Sequence, residues 1–461
     1  MNLTKAIVSR ALIIVLTVSV ITRCRLSAND ADQTPEGPSS ANTSGITDVS
    51  LGGPALTEPS GDTKGQVLRY GLGLVFQVAP RTAAVSCNIR TIGTGHWDFE
   101  NGTDVVVFND IATIGRQERI AVARNEEDVN PITGRKRVAV TYPIQVGFVP
   151  LGAKRPDGVV YPHAGTGFGF SQALCFDVNN EGYYTPAEAK AGGQDPSSKR
   201  WYLHQFTYDG QTFGVAKREI KSGDSPLNTT DGAWTIIAPG LSVAIADGDD
   251  LLLPVLASDG KREVAGVSRW CRTDGDWRPS MFYGISDGTE PSLIRDVDGS
   301  LIYSARGHGQ EGETVRVWQS RDSGQNWQQC LNIPTLRSNA PVTLVNAADG
   351  TPCIAANQPG SFRATLCLWP LNTQRTDYGP AIVARDCLGS FGPAPKGTTW
   401  FADHPTATTV QLADGEWHGL LGYRVMAFST DGVGAETPTP RTGCYIEQVN
   451  STGPARLAWQ F

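Results

Sequence analysis

Four segments in the C-terminal half share one pattern: an apolar run, an Asp-Gly turn and a second apolar run. They are LSVAIADGDDLLLPV (241–255), LIRDVDGSLIYSA (293–305), LVNAADGTPCIAA (344–356) and TVQLADGEWHGLLGY (409–423). The turn aspartates stand at 247, 298, 349 and 414, a period of 51 to 65 residues. Asp-Gly between apolar runs is the strongest short hairpin signal, because both turn positions tolerate positive φ. A hairpin recurring at that period means one small sheet per repeat, and small sheets set around an axis leave only short, protected edges. The pattern predicts an all-β fold, a β-propeller. Residues 65–461 divided by a period of about 60 predict six blades, with seven as the alternative.

Composition agrees and narrows the class. The chain has 461 residues with 51 Gly and 29 Pro, too many breakers for a helical bundle or coiled coil. Forty per cent apolar residues suffice for a large core. A net charge of −7, with no basic run beyond Arg135–Lys136–Arg137, argues against nucleic acid as a partner. Residues 1–28 read as an export signal: Lys5 and Arg10, an apolar run from Ala11 to Ile21, and the small residues Ser27–Ala28. Eleven apolar residues are short for a bilayer span, and no later segment approaches eighteen, so no stable membrane span is expected. Arg23 is a poor neighbour for lipid attachment at Cys24, which leaves a secreted or periplasmic location. Residues 29–64, rich in Ser, Thr, Pro and Gly, read as a flexible spacer, and 65–461 as the folded body. Eight cysteines beyond the signal permit four disulfides in an exported chain, with Cys353–Cys367 the first pair to test; buried free thiols are the other reading. No C-x-x-C or other usual ligand spacing suggests a metal.

Ser320–Arg321–Asp322–Ser323–Gly324–Gln325–Asn326–Trp327 reads S-x-D-x-G-x-x-W after the strand-like TVRVWQS (314–320), with a worn copy at Arg272–Trp277. Asp and Ser in such a turn bond its backbone. The motif resembles the Asp box of sialidase-type propellers, a structural device that does not place Asp322 in catalysis. Three further strings resemble the sialidase superfamily: Glu290 opening EPSLIRDVDG, Arg306 ending the returning strand, and Arg363 after a loop with Asn357 and Pro359. The resemblance covers the C-terminal two thirds.

What that resemblance implies is a six-bladed propeller acting as an exo-sialidase-like glycoside hydrolase on terminal acidic sugars. It implies a sialylated or other acidic glycan as partner, a monomer, and no cofactor. Arg306 and Arg363 would clamp the sugar carboxylate, since guanidinium forks match carboxylates at two points. Glu290 would be the base for a tyrosine nucleophile, which avoids setting a carboxylate against an anionic substrate. The sequence departs from the family where that tyrosine would fall: WFADHPTATTVQLADG (400–415) carries His404. His404 could be nucleophile, general base, substrate contact or turn residue. Tyr423 and Tyr445 could substitute only in a differently folded blade. The first clamp arginine and the general acid are unplaced, among Arg116, Arg119 and Arg155 and among Asp98, Asp104, Asp110 and Asp157. Tyr161–Phe170 reads as a loop at a mouth, with His163 a packing residue. Trp369, Trp400 and Trp417 read as blade core or as a sugar-stacking platform. The alternative function is a non-catalytic glycan-binding propeller that has lost the nucleophile; a purely structural or protein-interaction propeller is the third.

Overall fold

The computed structural model describes residues 48–51, 67–92 and 102–108 and, with interruptions of which 178–198 is the longest, 117–450. The expected export signal and Cys24 lie outside the described residues. Six sheets are present among the described residues. The first strand among the described residues, β1 (Asp48–Leu51), falls inside the stretch read as spacer. Blade I holds β2 (Val67–Ala79), β3 (Thr82–Ile92), β4 (Gly102–Phe108) and β5 (Gln117–Arg124). Blade II joins β6 (Glu126–Val129), β7 (Lys136–Thr141), β8 (Gln145–Val149), β9 (Thr166–Asp177), β10 (Lys199–Tyr208) and β11 (Phe213–Ile220). Blade III holds β12 (Thr235–Pro239), β13 (Ile245–Asp247), β14 (Asp250–Ser258), β15 (Glu263–Thr273) and β16 (Asp276–Ser286). Blade IV is β17 (Thr289–Arg295), β18 (Leu301–Arg306), β19 (Thr314–Ser320) and β20 (Gln328–Arg337). Blade V is β21 (Thr343–Asn346), β22 (Pro352–Asn357), β23 (Thr365–Pro370) and β24 (Ile382–Asp386), followed by the one-turn α1 (Cys387–Phe391). Blade VI holds β25 (Thr398–Gln411), β26 (Trp417–Ser429), β27 (Glu436–Thr437) and β28 (Gly443–Asn450).

Inner strands touch in sequence, β2 to β8, β8 to β13 and β14, β14 to β17, β17 to β21, β21 to β25 and β25 back to β2, so the blades form a closed ring of six. β1 pairs antiparallel with β28, Asp48 opposite Asn450, and gives the C-terminal blade an outer strand from the N-terminal side. The four Asp-Gly repeats are the first hairpins of blades III to VI: β13–β14, β17–β18, β21–β22 and β25–β26. Blade I turns instead at Pro80–Arg81, and blade II carries the long connection 150–165 there. That difference is why the repeat fades toward the N-terminus.

Blade strands pack on both faces, so they read as unbroken apolar runs. In β14, Leu251 to Ala257 are all buried. The cores lie between neighbouring blades. Phe168 of blade II stacks on Trp270 of blade III with ring centroids 4.0 Å apart. Trp369 fills the core between blades IV and V and Trp400 that between V and VI, so both are packing residues and no stacking platform. The side chain of Trp417 lies outside the described residues. Cys353 faces the core shared with blade VI and Cys367 the core shared with blade IV. They point to opposite faces of one sheet, so the expected pair is not bridged, and Cys367 is a free thiol.

A second contact set links blades near the axis. Gln145 Nε2 donates to Ser242 O. Ser242 Oγ accepts the Leu293 N–H at 2.8 Å and donates to Leu293 O at 3.0 Å. Ser292 Oγ accepts the Leu344 N–H at 2.8 Å, and Thr343 Oγ1 donates to Pro405 O. Each hydroxyl satisfies buried backbone of the next blade, groups that would otherwise cost about 1–3 kcal/mol apiece. The Asp-box turn does the same at the rim: Gly324 N–H donates to Ser320 Oγ at 3.0 Å, Asn326 N–H to Asp322 Oδ1 at 2.9 Å, and Trp327 Nε1–H to Gly324 O at 2.8 Å. Those donors, led by the Asn326 N–H, hold the Asp322 carboxyl down at about 2. The worn copy is a plain two-residue hairpin, with Asp274 and Gly275 at φ 52° and 85°. Replacing Ser242 by Ala orphans both backbone groups of Leu293; the expected loss is about 2 kcal/mol, read from urea unfolding.

Candidate active site

Two local devices of the same form sit at the same end of blades IV and VI. In blade IV, Thr289–Glu290–Pro291–Ser292 opens β17 with a bulge, Thr289 pairing Arg306 and Ser292 pairing Ser304. In blade VI, Asp403–His404–Pro405–Thr406 interrupts β25, Asp403 pairing Arg424 and Thr406 pairing Gly422. The bulged residue has a left-handed backbone in both, Glu290 at φ 47° and His404 at φ 51°. A non-glycine residue there costs about 1–3 kcal/mol and persists where its surroundings over-determine it. Both side chains are buried, and each device carries an arginine opposite on the second strand.

Blade V supplies the third element. Arg363, at φ 70°, precedes β23. Its carbonyl accepts the Ala402 N–H at 2.7 Å. Asn357 Nδ2 donates to the carbonyls of Arg363, Thr365 and Ala402, so this asparagine ties the Arg363 turn to β25. The guanidinium lies 5.3 Å from the Phe401 ring centroid.

The charges converge on two carboxylates. Arg306 Nη1 donates to Glu290 Oε2 at 2.8 Å. Asp403 is fully buried: Arg424 Nε donates to its Oδ1 at 2.7 Å, Arg363 Nη1 to its Oδ2 at 3.0 Å, and His404 Nδ1 lies 3.0 Å from Oδ1. Burial alone would push the Asp403 carboxyl up, yet Arg424, His404 and Arg363 hold it well below its ordinary value. Burial likewise opposes ionisation of Glu290, and Arg306, His404 and Arg363 outweigh it, so its carboxyl is also lowered. Burial is the largest influence on His404 and pushes its imidazole down, with Arg424 adding to it against Asp403 and Glu290. The ring is therefore neutral at neutral pH while both carboxylates are ionised. Burial and the charge of Arg306 work against the Arg363 guanidinium, and Asp403 and Glu290 oppose them. An arginine stays charged through such a shift, so the site holds two cations that repel each other.

Residues 191–383 match the family described as BNR repeat-like domain. The NanB sialidase of Streptococcus pneumoniae, in a mutant form, superposes with a TM-score of 0.51 at 12% identity, over 86% of this chain and 70% of that one. The chain is thus a six-bladed propeller with a fold like that of the sialidases, and residues 191–383 of it are similar to the BNR repeat-like domain. A Dyadobacter fermentans protein of unknown function gives a TM-score of 0.49 at 13% identity, over 86% and 98% of the two chains. The Trypanosoma rangeli sialidase gives 0.46 at 12%, over 88% of this chain and 58% of its own length. No curated protein matches the sequence.

All four site residues read from the sequence, Glu290, Arg306, Arg363 and His404, thus lie together at one end of the propeller. Sequence reasoning missed Asp403 as their hub and Arg424 as its partner. The signal available was the match between Glu290–Pro291–Ser292 and His404–Pro405–Thr406, each the same distance from its turn aspartate as the arginine that follows it. Neither tyrosine substitutes: Arg385 Nε donates to Tyr423 Oη at 2.7 Å, and Tyr445 Oη donates to Arg441 O at 2.9 Å, with both rings in the core between blades V and VI. Of Tyr161–Phe170, only Tyr161–Gly165 is connection, following the inner strand β8 at the opposite end from Glu290, where exposed His163 sits edge-on to Trp277; Thr166–Phe170 already belongs to β9 and runs back along β8. Arg155 and Asp157 belong to that far connection, Arg155 pairing with Asp249 at 3.1 Å. Asp104 pairs with Arg124 at 2.6 Å inside blade I. Arg116, Asp98 and Asp110, and the side chain of Arg119, lie outside the described residues. No group that could hold a metal occurs among the described residues.

Two outcomes follow for stability. Asp403→Ala strands Arg363 and Arg424 at a buried position, and a loss of about 3–5 kcal/mol is expected in urea unfolding. Glu290, Asp403 and His404 all have folded values below their ordinary ones of 4.5, 3.8 and 6.5. The unfolded chain therefore binds protons first, and stability, full above about pH 6.5, falls as pH drops through each folded value. Buried His204 of blade II, pushed down to about 3, adds to the same slope. Unfolding free energies at pH 7 and pH 5 should differ, and His404→Gln should narrow the gap without closing it.

Proposed function

We propose that this protein is an exported exo-sialidase-like glycoside hydrolase that removes a terminal acidic sugar from glycans. The observation that carries the reading is the delivery of Glu290, Arg306, Arg363 and His404 from three neighbouring blades to one end of the ring. Arg306 and Arg363 repel each other there, and a substrate carboxylate placed between them relieves that repulsion while gaining two guanidinium donors. Glu290, already anionic, faces the positive charge that grows on the sugar ring as the glycosidic bond breaks. The chemistry asks for no cofactor. Export of the mature chain from residue 29, without a lipid anchor, belongs to the same reading. So does a monomeric enzyme.

A second reading is a glycan-binding propeller that keeps the arginine clamp without turnover. It is favoured by the commitment of Tyr423 and Tyr445 to structural partners, which leaves the described cluster without a phenol. Hydrolysis of an α-linked sialoside with a fluorogenic aglycone separates the two. The hydrolase reading expects turnover by the purified protein and a fall in kcat/KM of about 10²-fold or more in Glu290→Gln and in Arg363→Ala. Sialic acid binding without turnover, lost in Arg363→Ala, establishes the binding protein instead. Neither turnover nor binding sinks the substrate assignment and leaves the fold.

A further inference from the structure

The described cluster offers few groups that can attack an anomeric carbon. Asp403 is fully buried and engaged by Arg424, Arg363 and His404. Glu290 is an ionised carboxylate paired with Arg306, and a substrate bearing its own carboxylate at the reacting carbon repels it. His404 is what remains. Nδ1 lies 3.0 Å from Asp403 Oδ1 without an aligned hydrogen bond to it, and a carboxylate that near favours the proton on Nδ1, which leaves the lone pair on Nε2. The left-handed turn at His404, closed by Pro405 and held by the Thr343 hydroxyl on the Pro405 carbonyl, holds the backbone that carries the ring.

We infer that His404, oriented by Asp403 as a positioning residue, is a general base for water, and that hydrolysis proceeds with inversion at the anomeric carbon. The inference rests on the hydrolase reading above. Water oxygen bonds to the anomeric carbon and its proton passes to His404 Nε2. The bond from that carbon to the aglycone oxygen breaks, and the electron pair leaves with the oxygen. A phenolate aglycone departs without a proton, and the imidazolium then returns its proton to solvent. Water fits this step better than the ring itself. The anomeric carbon of a sialoside carries no hydrogen and is crowded. An imidazole bonded to it would also stay cationic beside Arg424, whereas a protonated ring discharges within the cycle. The Asp403 carboxylate steadies the imidazolium while it lasts.

The test is ¹H NMR of an α-linked aryl sialoside mixed with the full-length protein, read before the free sugar mutarotates. Inversion gives the β-anomer first. The α-anomer first overturns the inference and leaves the hydrolase reading intact; absence of any turnover by the wild type sinks both. His404→Ala should lose about 10²–10⁴-fold in kcat with little change in KM, and added imidazole should restore part of it. A His404→Ala protein that keeps its kcat overturns the base role. Asp403→Asn should lower kcat and shift the acid limb of its pH profile, which reflects the groups facing the ring: Asp403, Arg424 and Glu290. If that variant fails to fold, ¹⁵N NMR of the wild-type His404 side chain decides the positioning role. Protonation on Nδ1 supports it, and protonation on Nε2 overturns it.

Discussion

A four-stranded sheet with two apolar faces can bury them only against other sheets, and everything else in this molecule follows from that requirement. Blades II to VI share cores with their neighbours, and the hydroxyls of Ser242, Ser292 and Thr343 hand hydrogen bonds from one inner strand to the next. Closure between β25 and β2, with β1 laid along β28, leaves no blade with an unshared inner edge. The ring also decides where chemistry can be placed. Inner strands all start at one end, so whatever precedes or opens them is gathered around the axis there.

The gathered groups form a buried ionic network whose members are individually unstable. Glu290, Arg363 and His404 each hold a left-handed backbone that a bulky side chain resists. Asp403 and Glu290 are ionised despite burial because guanidinium groups stand against them. Removing one partner exposes the others to the full desolvation penalty. Strain and charge of this kind persist only because blades IV, V and VI are locked together by their shared cores. The rigid ring holds the network in place.

Much of this was legible in the residues. The Asp-Gly hairpins of blades III to VI and the Asp-box turn at Ser320–Trp327 follow local rules, because turn chemistry needs only residues adjacent in the chain. Glu290, Arg306 and Arg363 stood out through strings that resemble the sialidase superfamily, Glu290 and Arg306 on either side of the Asp298–Gly299 hairpin and Arg363 after a loop with Asn357 and Pro359. Blades I and II were poorly legible: their first hairpins use Pro80–Arg81 and the long 150–165 connection, and neither carries the repeat. That is also why Tyr161–Phe170 was read as a mouth loop with no way to tell which mouth. The Cys353–Cys367 pair misled because nearness in sequence says nothing about which face of a strand a side chain takes.

By itself the sequence determined the class of fold, the period of its blades and the residue types that the proposed site draws on. Those are properties of turns and alternating or continuous apolar runs, interactions that act over a few residues. The tertiary structure alone decided that Asp403 would be the hub, that Arg424 and Arg363 would reach it from different blades, and that His404 would face Asp403 while Tyr423 faced Arg385. Adjacent residues on a strand point to opposite faces, so Tyr423 enters the core and Arg424 the site. Only closure of the ring settles which face meets which neighbour, because that depends on contacts between residues as far apart as 290 and 404.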